Sequence, residues 1–493
     1  MGRNNRQRRA AKQKARNRRG PTPPRAPLSP EEEFAEFFGG LFDPDDPYAA
    51  EDPFDSDEDP SPYASPRQRP FHLGLTERAQ RLLDDWLAIA LRQPDDTALR
   101  HAVRRQLVAL DEAVLVQADQ LLGHRLLADV AGLWNAGWQP RDLLHVAQRI
   151  DRRAAALAAD LAVEQIRRTG RAAQAPEAWR DQLEAAAGRA AEAGLRPVAD
   201  GRWAPLDRLI STRVGLAEAV ASVLRLLVRI EQLPRIAATL PPPSAWRSAP
   251  PPTSQPAPSS PATSSADGRR DKVLGTIRAL LAKAESTDHP AEAEALTAKA
   301  QDLMTRHAID EALLHAATDQ SIEVGCRRVL IDSPYPYEKA GLLNQVAGAN
   351  RVRVIWMGDL SMATVVGTPV DIDQVELLFV SLLIQATRAM ADAGAAHAGS
   401  FDRSPSFRRA FLISYGIRIG ERLTEADRAA TSSYGAELVP VLQRQTEAVD
   451  AEFARLFPDT YEVSGRRGYN RRGWDAGRQA ADEAVFVAGR LAG

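Results

Sequence analysis

The sequence predicts a mainly α protein: an N-terminal all-α bundle, then a C-terminal α+β domain with a small antiparallel sheet and a leading helical hairpin. Three observations predict it. Apolar residues recur at three- and four-residue steps through much of 71–240, the period of helices with one buried face. A stretch at 241–266 breaks that pattern, with nine Pro and seven Ser among residues 241–265; this composition makes an extended, semi-rigid linker. Beyond it, NRVRVIWM and MATVVGT flank Gly358-Asp359 within a region that otherwise reads as helix. Two such runs around a Gly-containing turn form a β-hairpin.

Taken in order, residues 1–70 are expected to be a disordered tail. The first 20 carry nine basic side chains and no acidic ones, while residues 31–59 carry 13 acidic and no basic ones. Neither block buries enough apolar area to offset the cost of ordering the chain. The basic arm suits a polyanion, with the acidic block as its internal competitor; the plainer reading is a solvated, self-neutralising tail.

In the bundle, Thr76 can cap a helix holding Leu82, Leu83, Trp86, Leu87, Ile89 and Ala90. Asp95 or Asp96 can cap the next, with Leu99, Val103, Leu107 and Leu110 on one face. Pro140 opens a helix expected to run to about Arg168 and to end at Thr169-Gly170. A further helix is expected over roughly 176–193, and a last one from Pro205 to Leu233. No fixed-period repeat occurs.

In the C-terminal half, 267–318 reads as a helical hairpin and 319–493 as the α+β domain. SIEVGCRRVLI at 321–331 is the first strand candidate. Helices are expected at 370–393, 407–426, 436–456 and 473–491. The small residues Gly473, Ala476, Gly477 and Ala480 on the last of these suit close helix packing.

Lysine usage singles out the hairpin. The chain holds 57 Arg and six Lys, yet Lys272, Lys283 and Lys299 fall within 28 residues. Ammonium and guanidinium do not substitute freely. The segment also echoes itself: Leu280-Leu281-Ala282-Lys283-Ala284-Glu285 against Leu296-Thr297-Ala298-Lys299-Ala300-Gln301. Asp288-His289-Pro290 breaks between the two helices, and Glu292 and Glu294 fall in the second helix's first turn, where the dipole favours anions.

The I-R-x-L-L-A-K-A-E run, the E-A-E and the A-K-A-Q-x-L-M resemble the family known as domain of unknown function 2786, over about residues 271–316. The rest of the chain, to its C-terminus, is similar to domain of unknown function 7168, on Val366-Gly367 before the long helix, the Phe407–Leu423 helix and the Gly-rich last helix. The resemblance implies an architecture and no reaction.

Two candidate sites emerge. Lys283, Glu285, Glu292, Glu294 and Lys299 either pair along the surface of two helices or form an anion-binding or active site facing the sheet. Lysines turned inward to a shared pocket would favour an enzyme; lysines fanned outward would not. Arg466, Arg467, Arg471 and Arg472 around Tyr469, with Trp474 next, suit phosphate contact with base stacking. The plainer source of that run is an Arg-rich composition.

Other chemistry is excluded or lacks its pattern. With Cys326 as the only cysteine, neither a disulfide framework nor a Cys-based zinc site is open. No HExxH, GxxxxGK[ST] or G-x-S-x-G occurs, and neither a metal nor a cofactor is expected. No apolar run approaches the roughly 18 residues that span a bilayer, so a soluble cytoplasmic protein with no membrane partner is expected. The function expected first is nucleic-acid association, with DNA or RNA held by the basic arm and the C-terminal Arg loop. An enzyme of unassigned reaction class is the first alternative. The second is a scaffold whose 71–240 helices bind a protein partner, with the Pro/Ser linker setting reach; an exposed apolar stripe around Trp134 and Trp138 would favour it.

Overall fold

The computed structural model describes residues 74–93, 95–108, 110–195, 202–246, 272–283, 299–300, 303–304, 306–307, 322–396, 404–434, 438–460 and 470–484. The expected tail at 1–70, linker residues 247–266 and the hairpin turn lie outside them. The fold is mainly α with a small three-stranded antiparallel sheet. No helix among the described residues is long and apolar enough to cross a membrane.

The N-terminal helices are α1 (Leu75–Arg92), α2 (Asp96–Leu107), α3 (Glu112–Asn135), α4 (Pro140–Gln148), α5 (Arg152–Thr169), α6 (Glu177–Glu192), α7 (Pro205–Ile210) and α8 (Leu216–Glu231). Their ends follow side-chain chemistry. Asp95 accepts from the Ala98 amide at 2.9 Å and opens α2; Gly170, at φ 67°, closes α5. An aspartate cap satisfies one of the amides a helix start leaves unpaired.

Three expectations are corrected here. The single helix from Pro140 to about Arg168 is two, because Asp151 caps a fresh start by accepting from the Ala154 amide at 2.6 Å. The helix from Pro205 to Leu233 is also two, parted by Arg213 at φ 67° and by Gly215. Trp134 and Trp138 are not an exposed stripe: both are buried. Trp134 donates to Gln165 at 2.8 Å and packs edge-on against Trp179 at 5.5 Å, and Trp138 donates to the Pro234 carbonyl at 2.8 Å. Trp246 then packs on Trp179 at 5.3 Å, so residues up to 246 lie against these helices.

The C-terminal elements are β1 (Gly325–Leu330), α9 (Pro336–Gly348), β2 (Arg353–Met357), β3 (Met362–Gly367), α10 (Pro369–Ala396), α11 (Pro405–Tyr434), α12 (Leu438–Leu456) and α13 (Arg471–Glu483). The sheet order is β1-β3-β2. Arg328 stands opposite Thr364 and Val354 opposite Val365. β2 and β3 form the expected hairpin, joined by a short turn at Gly358–Leu360 with Ser361 at φ 50°. β3 is central and wholly buried, as its run of Met, Ala, Thr and Val requires.

One apolar core gathers α1 to α8; a second gathers α9 to α11, the strands and residues of the 272–307 segment. α11 crosses the second core with glycines on two sides. A Cβ at Gly416 would lie 3.3 Å from the Leu342 Cα of α9, and one at Gly477 of α13 would collide with the Phe411 carbonyl oxygen of α11. Small residues at these points allow backbones to approach, as expected for Gly473 and Gly477.

Candidate functional site

The described part of the lysine segment is helical over 272–283 and again at 299–300, 303–304 and 306–307. Its apolar stripe faces in: Ile277, Leu281, Ala300 and Met304 are buried in the second core. Gln374 of α10 donates to the Met304 carbonyl at 2.7 Å and ties the segment down. Lys283 and Lys299 both lie on the exposed side, and neither is without a partner. Glu285, Glu292 and Glu294 lie outside the described residues. Lys283 and Lys299 are therefore exposed, each on a helix whose apolar stripe is buried.

Arg471 and Arg472 occupy the first turn of α13. Asn470 caps that helix by accepting from the Gly473 amide at 3.0 Å. The Arg471 side chain is 94% exposed, with Asp475 at 3.9 Å, and Arg472 is exposed too. Trp474 is half-buried: its indole packs on the second core, and its carbonyl accepts from Ser414 at 2.8 Å. Arg466, Arg467 and Tyr469 lie outside the described residues.

Two arginines at a helix start oppose the helix dipole, which favours anions there. Within α13 only the long contact from Arg471 to Asp475 offsets that opposition among the ion pairs described. The bonds that hold α13 are elsewhere: Arg418 reaches Asp482 at 2.5 Å, Arg478 reaches Glu421 at 3.2 Å, and Arg422 donates to the Ala484 carbonyl at 2.9 Å. The lysine segment and α13 rest on one core, where Ile277 and Ala481 are both members.

A third polar region, not singled out from the sequence, lies where α4 meets the sheet. Arg328 of β1 and Asp142 of α4 form an ion pair with neither side chain exposed. Arg328 also donates to the Ala237 carbonyl at 2.7 Å, and Arg141 donates to the Arg328 carbonyl. Burial pushes the Asp142 carboxyl up, and Arg328 pushes it back. Leu360 and Met362, at the hairpin turn, insert into the N-terminal core. Arg229 of α8 donates to the Asp359 carbonyl at 3.2 Å. The two cores therefore meet along a polar seam. Arg328 is one of 57 arginines, so no local signal marks it.

The seam brings Asp332, His145 and Ser361 near one another, the residue types of a hydrolytic triad. Its geometry does not match one. The His145 Nε2 lies 3.1 Å from the carbonyl oxygens of both Leu360 and Ser361, so it bears a hydrogen and cannot deprotonate a hydroxyl. Ser361 itself is 1% exposed. No group of three or more His, Cys, Asp or Glu side chains able to hold a metal occurs among the described residues.

Residues 272–311 match the family described as protein of unknown function (DUF2786). No curated protein and no solved structure matches the chain.

Proposed function

We propose that the protein binds nucleic acid through exposed cations on its C-terminal half, assisted by the basic arm of residues 1–20. One observation carries the reading: Arg471 and Arg472 stand exposed on the amino-terminal turn of α13, where they work against the helix dipole. A phosphate would relieve that opposition, because helix amides and guanidinium groups both attract it. Lys283 and Lys299, exposed on the outer side of the segment seated on the same core, add positive charge. Half-buried Trp474 positions the turn and contributes less to base stacking than a free indole would. The similarity of the region after the DUF2786 segment to domain of unknown function 7168 belongs to the same reading and adds no reaction.

Binding of this kind releases counterions and weakens steeply with salt. Labelled DNA and RNA, single- and double-stranded, are titrated with the full chain across a salt series. Arg471→Ala/Arg472→Ala should lower affinity alike for all sequences and reduce the salt slope by about 1 for each phosphate no longer neutralised. Removing residues 1–30 should reduce it further. The reading fails if the full chain binds none of these polymers at low salt. Lys283→Arg/Lys299→Arg then separates charge from shape: unchanged binding would show that any cation serves there.

A further inference from the structure

α11 and α13 run parallel and start at the same end of the molecule. A Cβ at Gly473 would collide with the Phe407 carbonyl oxygen, Ser414 donates to the Trp474 carbonyl at 2.8 Å, and Arg418 reaches Asp482 at 2.5 Å. Each step forward on α11 meets a step forward on α13, so their starts lie side by side. Arg408 and Arg409 stand at the start of α11, and Arg471 and Arg472 at the start of α13. The Arg471 and Arg409 side chains are 94% and 61% exposed, Arg472 is exposed, and Arg408 is half-buried. Neither helix carries an acidic residue in its first turn. Both are capped by neutral side chains: Ser404 accepts from the Phe407 amide at 3.2 Å, and Asn470 from the Gly473 amide. Two carboxylates reach these cations from further along: Glu338 of α9 lies 3.5 Å from Arg409, and Asp475 lies 3.9 Å from Arg471. α5 is the contrast. It also opens on two exposed arginines, Arg152 and Arg153, but Asp151 sets a carboxylate at its cap.

We infer, resting on the nucleic-acid binding proposed above, that this four-arginine end docks on the phosphate backbone of a duplex. Arg408 and Arg409 are part of the surface, and the partner is double-stranded. Two helices locked backbone to backbone hold the four cations on a rigid base. A duplex offers a matching regular array, one charge per roughly 1.7 Å of its axis. A single strand is held differently, in a basic groove where bases stack on aromatic rings. The Trp474 indole beside this surface packs on the second core instead. Guanidinium groups that meet phosphates fix position and read no base, so binding is independent of sequence.

Fluorescence anisotropy of the full chain tests this across a salt series, with one labelled sequence as single strand and as duplex, in DNA and in RNA. Each phosphate contact is steeper in salt on a duplex than on a single strand. Four of them should make the duplex of at least one polymer bind about tenfold tighter at about 50 mM salt. Arg408→Gln/Arg409→Gln should weaken duplex binding by about tenfold or more and lower its salt slope by about 2. Should that variant fail to fold for want of the Arg409–Glu338 contact, Arg408→Gln/Arg409→Lys keeps the contact and should lower the slope by about 1. The charge-matched Arg152→Gln/Arg153→Gln, in the other core, should leave the slope unchanged. Equal losses from the α11 and α5 pairs would overturn the docking surface and leave net charge alone as the cause. Single strands bound as tightly as duplexes in both polymers would also overturn it. So would α11 variants that bind like wild type while Arg471→Ala/Arg472→Ala is weakened. Nucleic-acid binding itself stands in each of those cases, whereas a chain that binds neither polymer at low salt removes both.

Discussion

Arg328 and Asp142 lie 186 positions apart and are bonded to each other with no exposure on either side. Removing one member strands a charge in the interior, which costs about 3–5 kcal/mol, whereas replacing both with apolar groups is often close to neutral. Asp142→Ala should therefore lose that much in urea unfolding, and Arg328→Met/Asp142→Leu should recover most of it. A double variant as unstable as the single one would assign Asp142 a further role, such as its bond to the Gln139 amide at 3.0 Å. Asp119 supplies a pH dependence. Burial pushes its carboxyl up to about 6, against two amide bonds from Leu206 and Asp207 at 2.7 and 2.9 Å. A raised carboxyl stabilises the fold fully below the unfolded value of 3.8 and loses that contribution as pH rises through about 6, a swing of roughly 3 kcal/mol. Asp119→Asn should gain on wild type in urea midpoint as pH is raised across this window. A constant difference would leave Asp119 untitrated. Neither aspartate is marked in the sequence, because burial depends on what docks over a residue, not on its neighbours in the chain.

Among the elements, the β2–β3 hairpin, α1, α2, α6 and α10 were legible because each has one dominant period or a clear stop. α3 was not read: Val114, Leu122, Leu126, Val130 and Trp134 are buried, but so are Ala118, Asp119 and Gly123, which places burial around much of the helix and leaves no single stripe. α9 starts inside the Pro- and Tyr-rich SPYPY, at Pro336, in a run whose composition reads as loop. Caps decided where helices divide. Asp151→Ala should cost about 1 kcal/mol by leaving the start of α5 uncapped, seen as a lower urea midpoint. The glycine spacing of α13 was legible and has a purpose the backbone explains. Gly477→Val would drive a branched side chain into the Phe411 carbonyl and part α13 from α11. Overpacking of this kind costs about 1–3 kcal/mol, whereas Gln479→Val on the exposed side should be nearly silent. Equal effects of the two would mean that α13 is not held by close approach.

At the scale of the whole molecule, the Pro/Ser stretch does not leave the two cores independent. The described chain packs as far as Trp246, and Leu360 and Met362 of the C-terminal hairpin complete the N-terminal core. A full chain cut within 247–266 should therefore keep its two pieces together in gel filtration, and Asp142→Ala should weaken their association. Pieces that separate at once would show the seam to be too weak to hold without the tether. By itself, the sequence determined the helical character, the hairpin, the composition break and the face each amphipathic helix turns inward, since these are local periods of two and about 3.6 residues. Only the tertiary structure decided that Arg208 and Arg328 are buried among the described arginines, that Trp134 and Trp138 are core, and that Lys283 and Lys299 are exposed. Each of those outcomes depends on which distant surface covers a residue, and that information is carried by the packing of whole elements.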